Sequence, residues 1–282
     1  MKSDRLLKIG SEILKKNNIK SHMIDTEILL SYLTGKSRES LITKPDFNID
    51  NSKINIFKDL ISRRAVKKEP IAYLLNKKEF WSMDFFVGND VLIPRPETEL
   101  LVEKLINYFK NLRPYILDVG TGSGCIIISL LKELTGSKGV AIDISKKAIK
   151  LAEKNSKINN FQDRIKFLNT SIENFYSSRF DLIVSNPPYI ARHQLKNLDE
   201  GIKYFEPKLA LDGGNDGLDV VRKVIYKSKK ILKINGMLAL EIGSGQYKHV
   251  SQILKLNNFR EKFLIKDFQD NIRCIFSMLK HY

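Results

Sequence analysis

Tyr115 to Gly124 read YILDVGTGSG, and Cys125 to Leu131 continue as CIIISLL. A short apolar run that ends in closely spaced glycines and passes into a second apolar run is the pattern of strand, tight loop and helix. Gly120, Gly122 and Gly124 carry no Cβ and accept positive φ, so a ligand can lie against the backbone where the chain leaves the strand. A dinucleotide fingerprint requires glycine or alanine three places after Gly122, and Cys125 stands there. Asp143 closes the next apolar segment, Gly139 to Ile142, where a carboxylate accepts hydrogen bonds from two ribose hydroxyls. Gly120, Thr121, Gly122, Ser123 and Gly124 beside Asp143 therefore favour a site for S-adenosylmethionine over one for NAD.

Strands and helices alternate from this point on. The pattern predicts strands at Tyr115 to Val119, Gly139 to Asp143, Arg164 to Leu168, Asp181 to Ser185 and Met237 to Ile242. Helices fall between them at Cys125 to Leu134, Ser145 to Lys157 and Leu218 to Leu232, and one follows at Gln246 to Leu256. Such alternation implies an α/β fold with a parallel, Rossmann-like sheet covered on both faces. The last two apolar segments, Phe259 to Ile265 and Ile272 to Leu279, have no helix between them and are expected to pair as an antiparallel hairpin at the sheet edge. Ala191 to Gly217, with its DGGNDG run, reads as a long loop over the carboxyl edge, a common place for a substrate lid.

Upstream the periodicity is helical. Leu6, Leu7, Ile9, Ile13 and Leu14 form one stripe, Ile24, Ile28, Leu29 and Leu33 a second that Gly35 stops, and Ile54, Phe57, Leu60 and Ile61 a third. Glu79 to Leu92 turns aromatic and β-branched around a Gly88-Asn89-Asp90 turn signal, which suits a hairpin linker. Pro96 is placed for the first turn of a helix, with Glu97 and Glu99 at its positive dipole end. The expected organisation is a helical bundle over 1–75, a linker over 76–93 and an S-adenosylmethionine-binding α/β domain over 94–282.

The strand ending at Ser185 runs into Asn186, Pro187, Pro188 and Tyr189. Open parallel sheets bind ligands at such carboxyl ends. Each proline fixes its own φ and pushes the preceding residue towards extended geometry, so the carbonyls of Asn186 and Pro187 are held outside any helix. An amide side chain, a pre-set carbonyl and an aromatic face suit a planar NH2 group, either a carboxamide or an exocyclic base amine. Acceptors at Asn186 and Pro187 would bind the two N–H groups and offset the positive charge that develops on nitrogen, while the face of Tyr189 stacks on the amide.

Leu92 to Glu99 (LIPRPETE), the glycine loop, Asp143, the NPPY tetrapeptide and Phe205-Glu206-Pro207 together resemble the HemK family of peptide chain release factor N(5)-glutamine methyltransferases. The resemblance spans nearly the whole chain, including Asp25, Glu27 to Leu30, and Glu79-Phe80-Trp81. NPPY alone is shared with adenine-N6 DNA and guanine-N2 RNA methyltransferases; PRPETE and the leading helical domain are more particular to this family. The resemblance implies a seven-stranded methyltransferase sheet, S-adenosylmethionine as cofactor, the GGQ glutamine of release factors as substrate and a leading domain that recognises that protein. It implies catalytic roles for Asn186, Pro187 and Tyr189, with Pro188 completing the substrate loop and Asn186 also contacting the cofactor. Family members often carry an acidic residue and an aromatic near the adenine after the fourth strand. Ser171 and Ile172 stand there, so the adenine contacts expected are a hydrogen bond from Ser171 and packing by Ile172.

Composition narrows the alternatives. A chain of 282 residues with 43% hydrophobic content can bury two cores. No apolar run approaches a bilayer span, and the charged start MKSDRLLKIG lacks a signal-peptide core, so a soluble, cytoplasmic protein without a membrane partner is expected. Cys125 and Cys274 lie in apolar segments and are expected as buried thiols; neither they nor the four histidines have metal-site spacing. The net charge of +16 invites a nucleic-acid partner, but the basic pairs are scattered without an aromatic-interleaved stripe. No stable nucleic-acid binding is expected.

Overall fold

The computed structural model describes residues 1–44, 46–177 and 179–280; His281, one of the four histidines, lies outside them. The chain divides into two compact units: Met1–Asn76 with Asp199–Phe205, and Lys77–Leu198 with the chain from Glu206 onward.

The first unit holds α1 (Ser3–Lys16), α2 (His22–Thr34), α3 (Arg38–Thr43), α4 (Asn51–Lys67) and the single turn α5 (Ile71–Leu74). Its core joins Leu6 and Leu14 to Leu29, Leu30, Phe57 and Ile61. The second stripe differs from the expected one: Ile24 is 50% exposed, and the buried face of α2 is Asp25, Thr26, Leu29 and Leu30. Helix α2 is apolar on several sides, so its periodicity leaves its rotation open. An ion pair decides it, because Arg64 Nε reaches Asp25 Oδ2 at 2.7 Å and both side chains are largely buried. Arg64 also donates to the carbonyls of Lys68 and Glu69, so the buried carboxylate is tied to the end of α4.

The second unit opens with a hairpin of β1 (Lys77–Phe80) and β2 (Met83–Phe86), followed by α6 (Pro96–Phe109). Then come β3 (Tyr115–Val119), α7 (Cys125–Glu133), β4 (Lys138–Asp143), α8 (Lys146–Ile158), β5 (Ile165–Asn169) and β6 (Phe180–Ser185). The chain closes with α9 (Asp219–Ile231), β7 (Leu232–Glu241), α10 (Tyr247–Leu256), β8 (Phe259–Lys266) and β9 (Ile272–Leu279). Among the described residues these form a seven-stranded sheet in the order β5-β4-β3-β6-β7-β9-β8. The first five strands are mutually parallel, and β9 enters antiparallel between β7 and β8.

Both faces of the sheet are buried, as the near-continuous apolar strands require. Ile116 and Leu182 pack towards α6 and α7 through Leu101, Leu105 and Ile127, while their neighbours Leu117 and Ile183 face the opposite layer with Val221, Val250 and Leu254. Strand β7 begins earlier than expected because Leu232 already pairs with Phe180; pairing then resumes at Met237 opposite Leu182.

The segment after NPPY is not an open loop. Gly213 N–H donates to the Ile190 carbonyl at 2.9 Å and Arg192 N–H to the Gly214 carbonyl at 2.8 Å, which stitches the DGGNDG run to the chain leaving β6. Short helical turns occupy Glu200–Lys203 and Lys208–Leu211. Gly217 sits at φ +80°, and a Cβ there would lie 2.5 Å from the Tyr189 carbonyl oxygen and 2.8 Å from Gln246 Nε2. Gly217→Ala is therefore expected to cost about 1–3 kcal/mol from the clash and the positive φ. A lowered urea midpoint at unchanged slope would register it; an unchanged midpoint would mean that this contact relaxes freely.

Candidate active site

The carboxyl ends of β3, β4 and β6 open into one cleft of about 330 Å³, lined by Gly120 to Ser123, Asp143, Ser171, Ile172, Asn186 and Pro188. The glycine loop is held by the end of β4. Gly120 and Thr121 both donate to the Ile142 carbonyl, at 2.9 and 3.0 Å, and Gly122 N–H donates to Asp143 Oδ2 at 3.0 Å. Gly120 and Gly122 adopt φ +72° and +55°, and a Cβ on Gly120 would meet nothing within 4 Å. The backbone is thus laid bare towards the cleft, as close approach of a ligand requires.

Asp143 carries two tasks. Its Oδ1 accepts from Ser145 N–H at 2.8 Å, so both oxygens already hold backbone donors. Burial raises its pKa, and the Ser145 and Gly122 N–H groups oppose that rise. Each oxygen keeps a second lone pair for a hydroxyl of a ligand.

Asp118, at the end of β3, is fully buried. Its Oδ2 accepts from Thr121 Oγ1 at 2.7 Å, and its Oδ1 has no hydrogen-bond partner among the described residues. Burial pushes the carboxyl up to about 7 against the Thr121 hydrogen bond, with Asp143 adding to the rise. Gly124, expected at the cofactor, is not among the lining residues; a Cβ there would stand 3.1 Å from Ile128 and 3.3 Å from Ala152, so its bareness serves helix packing. Ser171 and Ile172 both line the cleft, with Ser171 Oγ accepting from Asn174 N–H at 3.2 Å.

The NPPY residues separate. Asn186 and Pro188 line the cleft, whereas Pro187 is buried and Tyr189 lies outside the lining. The Tyr189 ring is already engaged: the Arg273 guanidinium sits 5.2 Å from its centroid and Nη2 donates to its hydroxyl at 3.0 Å. Burial, with Glu241 next in effect, raises the phenol's pKa. Asn186 Nδ2 donates to Thr98 Oγ1 at 3.2 Å, and Thr98 Oγ1 donates to the fully buried Glu241 Oε2 at 2.7 Å.

Four residues around the site are absent from the sequence-based expectations. Thr98 belongs to PRPETE, yet the segment reads as a helix start. Glu241 follows an apolar run at the carboxyl end of a parallel strand, the same signal that singles out Asp143, so it was within reach. Arg273 in β9 and Asn155 in α8 carry no such signal. Asn155 is fully buried, donating to the carbonyls of Ser123 and Phe86 and accepting from Phe86 N–H, which ties the glycine loop to the hairpin. PRPETE itself proves to be a junction: Arg95 pairs with Glu206 at 2.5 Å, Thr98 with Glu241, and Glu99 accepts from Trp81 N–H at 2.8 Å.

The sheet order and the cleft beside the glycine loop define a class I methyltransferase. The ribosomal protein L11 methylase of Lactobacillus delbrueckii subsp. bulgaricus shares this fold, with a TM-score of 0.52 and 22% identity over 68% of this chain and 82% of that one. The family models "Methyltransferase small domain" and "PrmC N-terminal domain" match residues 96–202 and 5–75. The release factor glutamine methyltransferase of Clostridium acetobutylicum is 40% identical over 98% of this chain and 97% of its own length. That of Buchnera aphidicola subsp. Baizongia pistaciae is 38% identical over 97% and 98%. The chain belongs to the release factor glutamine methyltransferase family.

Proposed function

We infer that this protein transfers a methyl group from S-adenosylmethionine to the side-chain nitrogen of a glutamine in peptide chain release factors, at the GGQ motif. The observation that carries this is the convergence of a bared glycine loop, Asp143 and Asn186 on one cleft. The residues fit the cofactor: Gly120 and Gly122 leave room for it against the backbone, Asp143 has lone pairs for ribose hydroxyls, and Ile172 offers an apolar wall for the adenine. When bound, S-adenosylmethionine supplies a methyl carbon on a good leaving group.

The chain's own work is to hold the glutamine nitrogen in line and exclude water. A carboxamide nitrogen is a poor nucleophile because its lone pair is delocalised. Asn186 Oδ1 accepts one of its N–H groups and the carbonyl of Pro187, a buried residue between cleft-lining Asn186 and Pro188, accepts the other; together they turn the lone pair towards the methyl carbon and offset the charge that grows there. Tyr189, braced by Arg273, anchors the loop that presents them. No general base is required, since the methylated amide nitrogen loses its proton readily to solvent once the product leaves the cleft. Methyl transfer from labelled cofactor to purified release factor, compared with release factor whose GGQ glutamine is changed and with DNA and RNA, tests this. Label that follows the glutamine supports it, and label on nucleic acid overturns it.

The N-terminal helical bundle serves to recognise the protein substrate, in the cytoplasm where translation terminates. Among the described residues, those that line the cleft all belong to the second unit. No helix among the described residues is long and apolar enough to cross a membrane. A chain shortened to begin at Glu79 is expected to bind cofactor yet methylate intact release factor poorly. Full activity of the shortened chain would assign the bundle another purpose.

A further inference from the structure

We propose that Thr98 and Glu241 are positioning residues that fix which end of the Asn186 side-chain amide faces the cleft. The two ends of an asparagine amide are alike in size and opposite in chemistry, so packing alone does not choose between them. Here a buried chain of hydrogen bonds chooses. Glu241 is wholly buried at the end of β7, and as a carboxylate it only accepts. Thr98, 2% exposed in the first turn of α6, has a single hydroxyl hydrogen, which the 2.7 Å contact commits to Glu241 Oε2. What Thr98 then offers Asn186 at 3.2 Å is a lone pair, and only the NH2 end of Asn186 can use it. Oδ1 is left facing away from Thr98 and free for the cleft that Asn186 lines.

The Thr98 hydroxyl and Arg273 favour the charged form of Glu241, and its burial works against them. Arg273 Nη2 stands 3.7 Å from Oε1, an oxygen without a hydrogen-bond partner among the described residues. Burial raises the Glu241 pKa; the Thr98 hydroxyl, Arg273 and the Asn186 amide oppose the rise, while Glu97 adds to it. Were Glu241 to donate instead of accept, Thr98 could turn its hydrogen to Asn186 and the amide could present NH2 to a substrate NH2. An acceptor would become a competing donor with almost no change of shape.

The inference rests on the reading that Asn186 Oδ1 receives a substrate N–H, and its test separates the two. Thr98→Val keeps the volume and removes the hydroxyl; Thr98→Ser keeps the hydroxyl. Single-turnover methylation of intact release factor is expected to fall about tenfold in Thr98→Val, the equivalent of one lost orienting hydrogen bond. KM and cofactor affinity should stay near parent values, and Thr98→Ser should recover the rate. Glu241→Gln, whose NH2 can donate to Thr98, is expected to slow transfer in the same direction. A Thr98→Val rate equal to the parent's, or a Thr98→Ser rate as low as that of Thr98→Val, overturns the proposal. Hydrogen exchange of the Asn186 side-chain amide by nitrogen-15 NMR gives a readout independent of activity. Slower exchange in parent and Thr98→Ser than in Thr98→Val supports the relay, and equal exchange in all three overturns it. A parent enzyme that leaves release factor unmethylated would sink the functional reading while this NMR comparison still decides the relay.

Discussion

Asn186→Ala is expected to slow methyl transfer by at least about tenfold, and up to about a hundredfold, because a hydrogen bond to a group gaining charge is worth about 1.5–3 kcal/mol. The loss should fall on the chemical step, since the acceptor gains strength as the glutamine nitrogen becomes positive. Cofactor affinity should change little, because the glycine loop is held by Ile142 and Asp143 and does not lean on Asn186. Removing the side chain also leaves Thr98 with an unused lone pair, but its hydroxyl keeps the bond to Glu241 Oε2, so the fold should survive. Single-turnover rates at saturating cofactor and substrate decide the matter. A variant that turns over at the parent rate would make the NPPY segment a structural turn and end the amide-orienting account.

Asp143→Ala should have the largest effect on binding. In the proposed function its two oxygens receive ribose hydroxyls, and losing hydrogen bonds to a charged group should weaken cofactor binding by about ten- to a hundredfold or more. The structure adds a second source of loss. Asp143 Oδ2 is the acceptor for Gly122 N–H and Oδ1 for Ser145 N–H, so the substitution also frees the loop and the start of α8. Weaker binding is therefore not the whole expected result: the melting temperature should drop as well. Calorimetric titration beside thermal unfolding separates the two effects. An unchanged dissociation constant would remove Asp143 from the site.

Much of this architecture is legible along the chain because its signals are local. A strand buried on both faces reads as an apolar run, a helix as a period, and a loop that bares its backbone as glycines; Tyr115 to Leu131 shows all three in succession. The terminal hairpin was legible for the same reason, since nothing helical separates β8 from β9. The insertion of β9 between β7 and β8 was not, because strand neighbours are chosen by pairing across the sheet.

The candidate site divides along the same line. Gly120, Gly122, Asp143 and Asn186 could be named from sequence because each stands where a strand ends, and strand ends are local events. Which of them reach the cleft depends on direction in space. Gly124 turns into the packing of α7 on α8, and Tyr189 turns its ring under Arg273, an element 84 residues away. The rotation of α2 shows the same limit, for the Asp25 to Arg64 ion pair spans 39 residues and outweighs the apolar periodicity around it. By itself the sequence determined the class of sheet, the bared glycine loop after β3 and the proline-fixed tetrapeptide after β6, all written in contiguous residues. Only the tertiary structure decided that Asn186, Thr98 and Glu241 form one buried chain of hydrogen bonds, because they lie on three separate elements and meet only once those elements pack and exclude water.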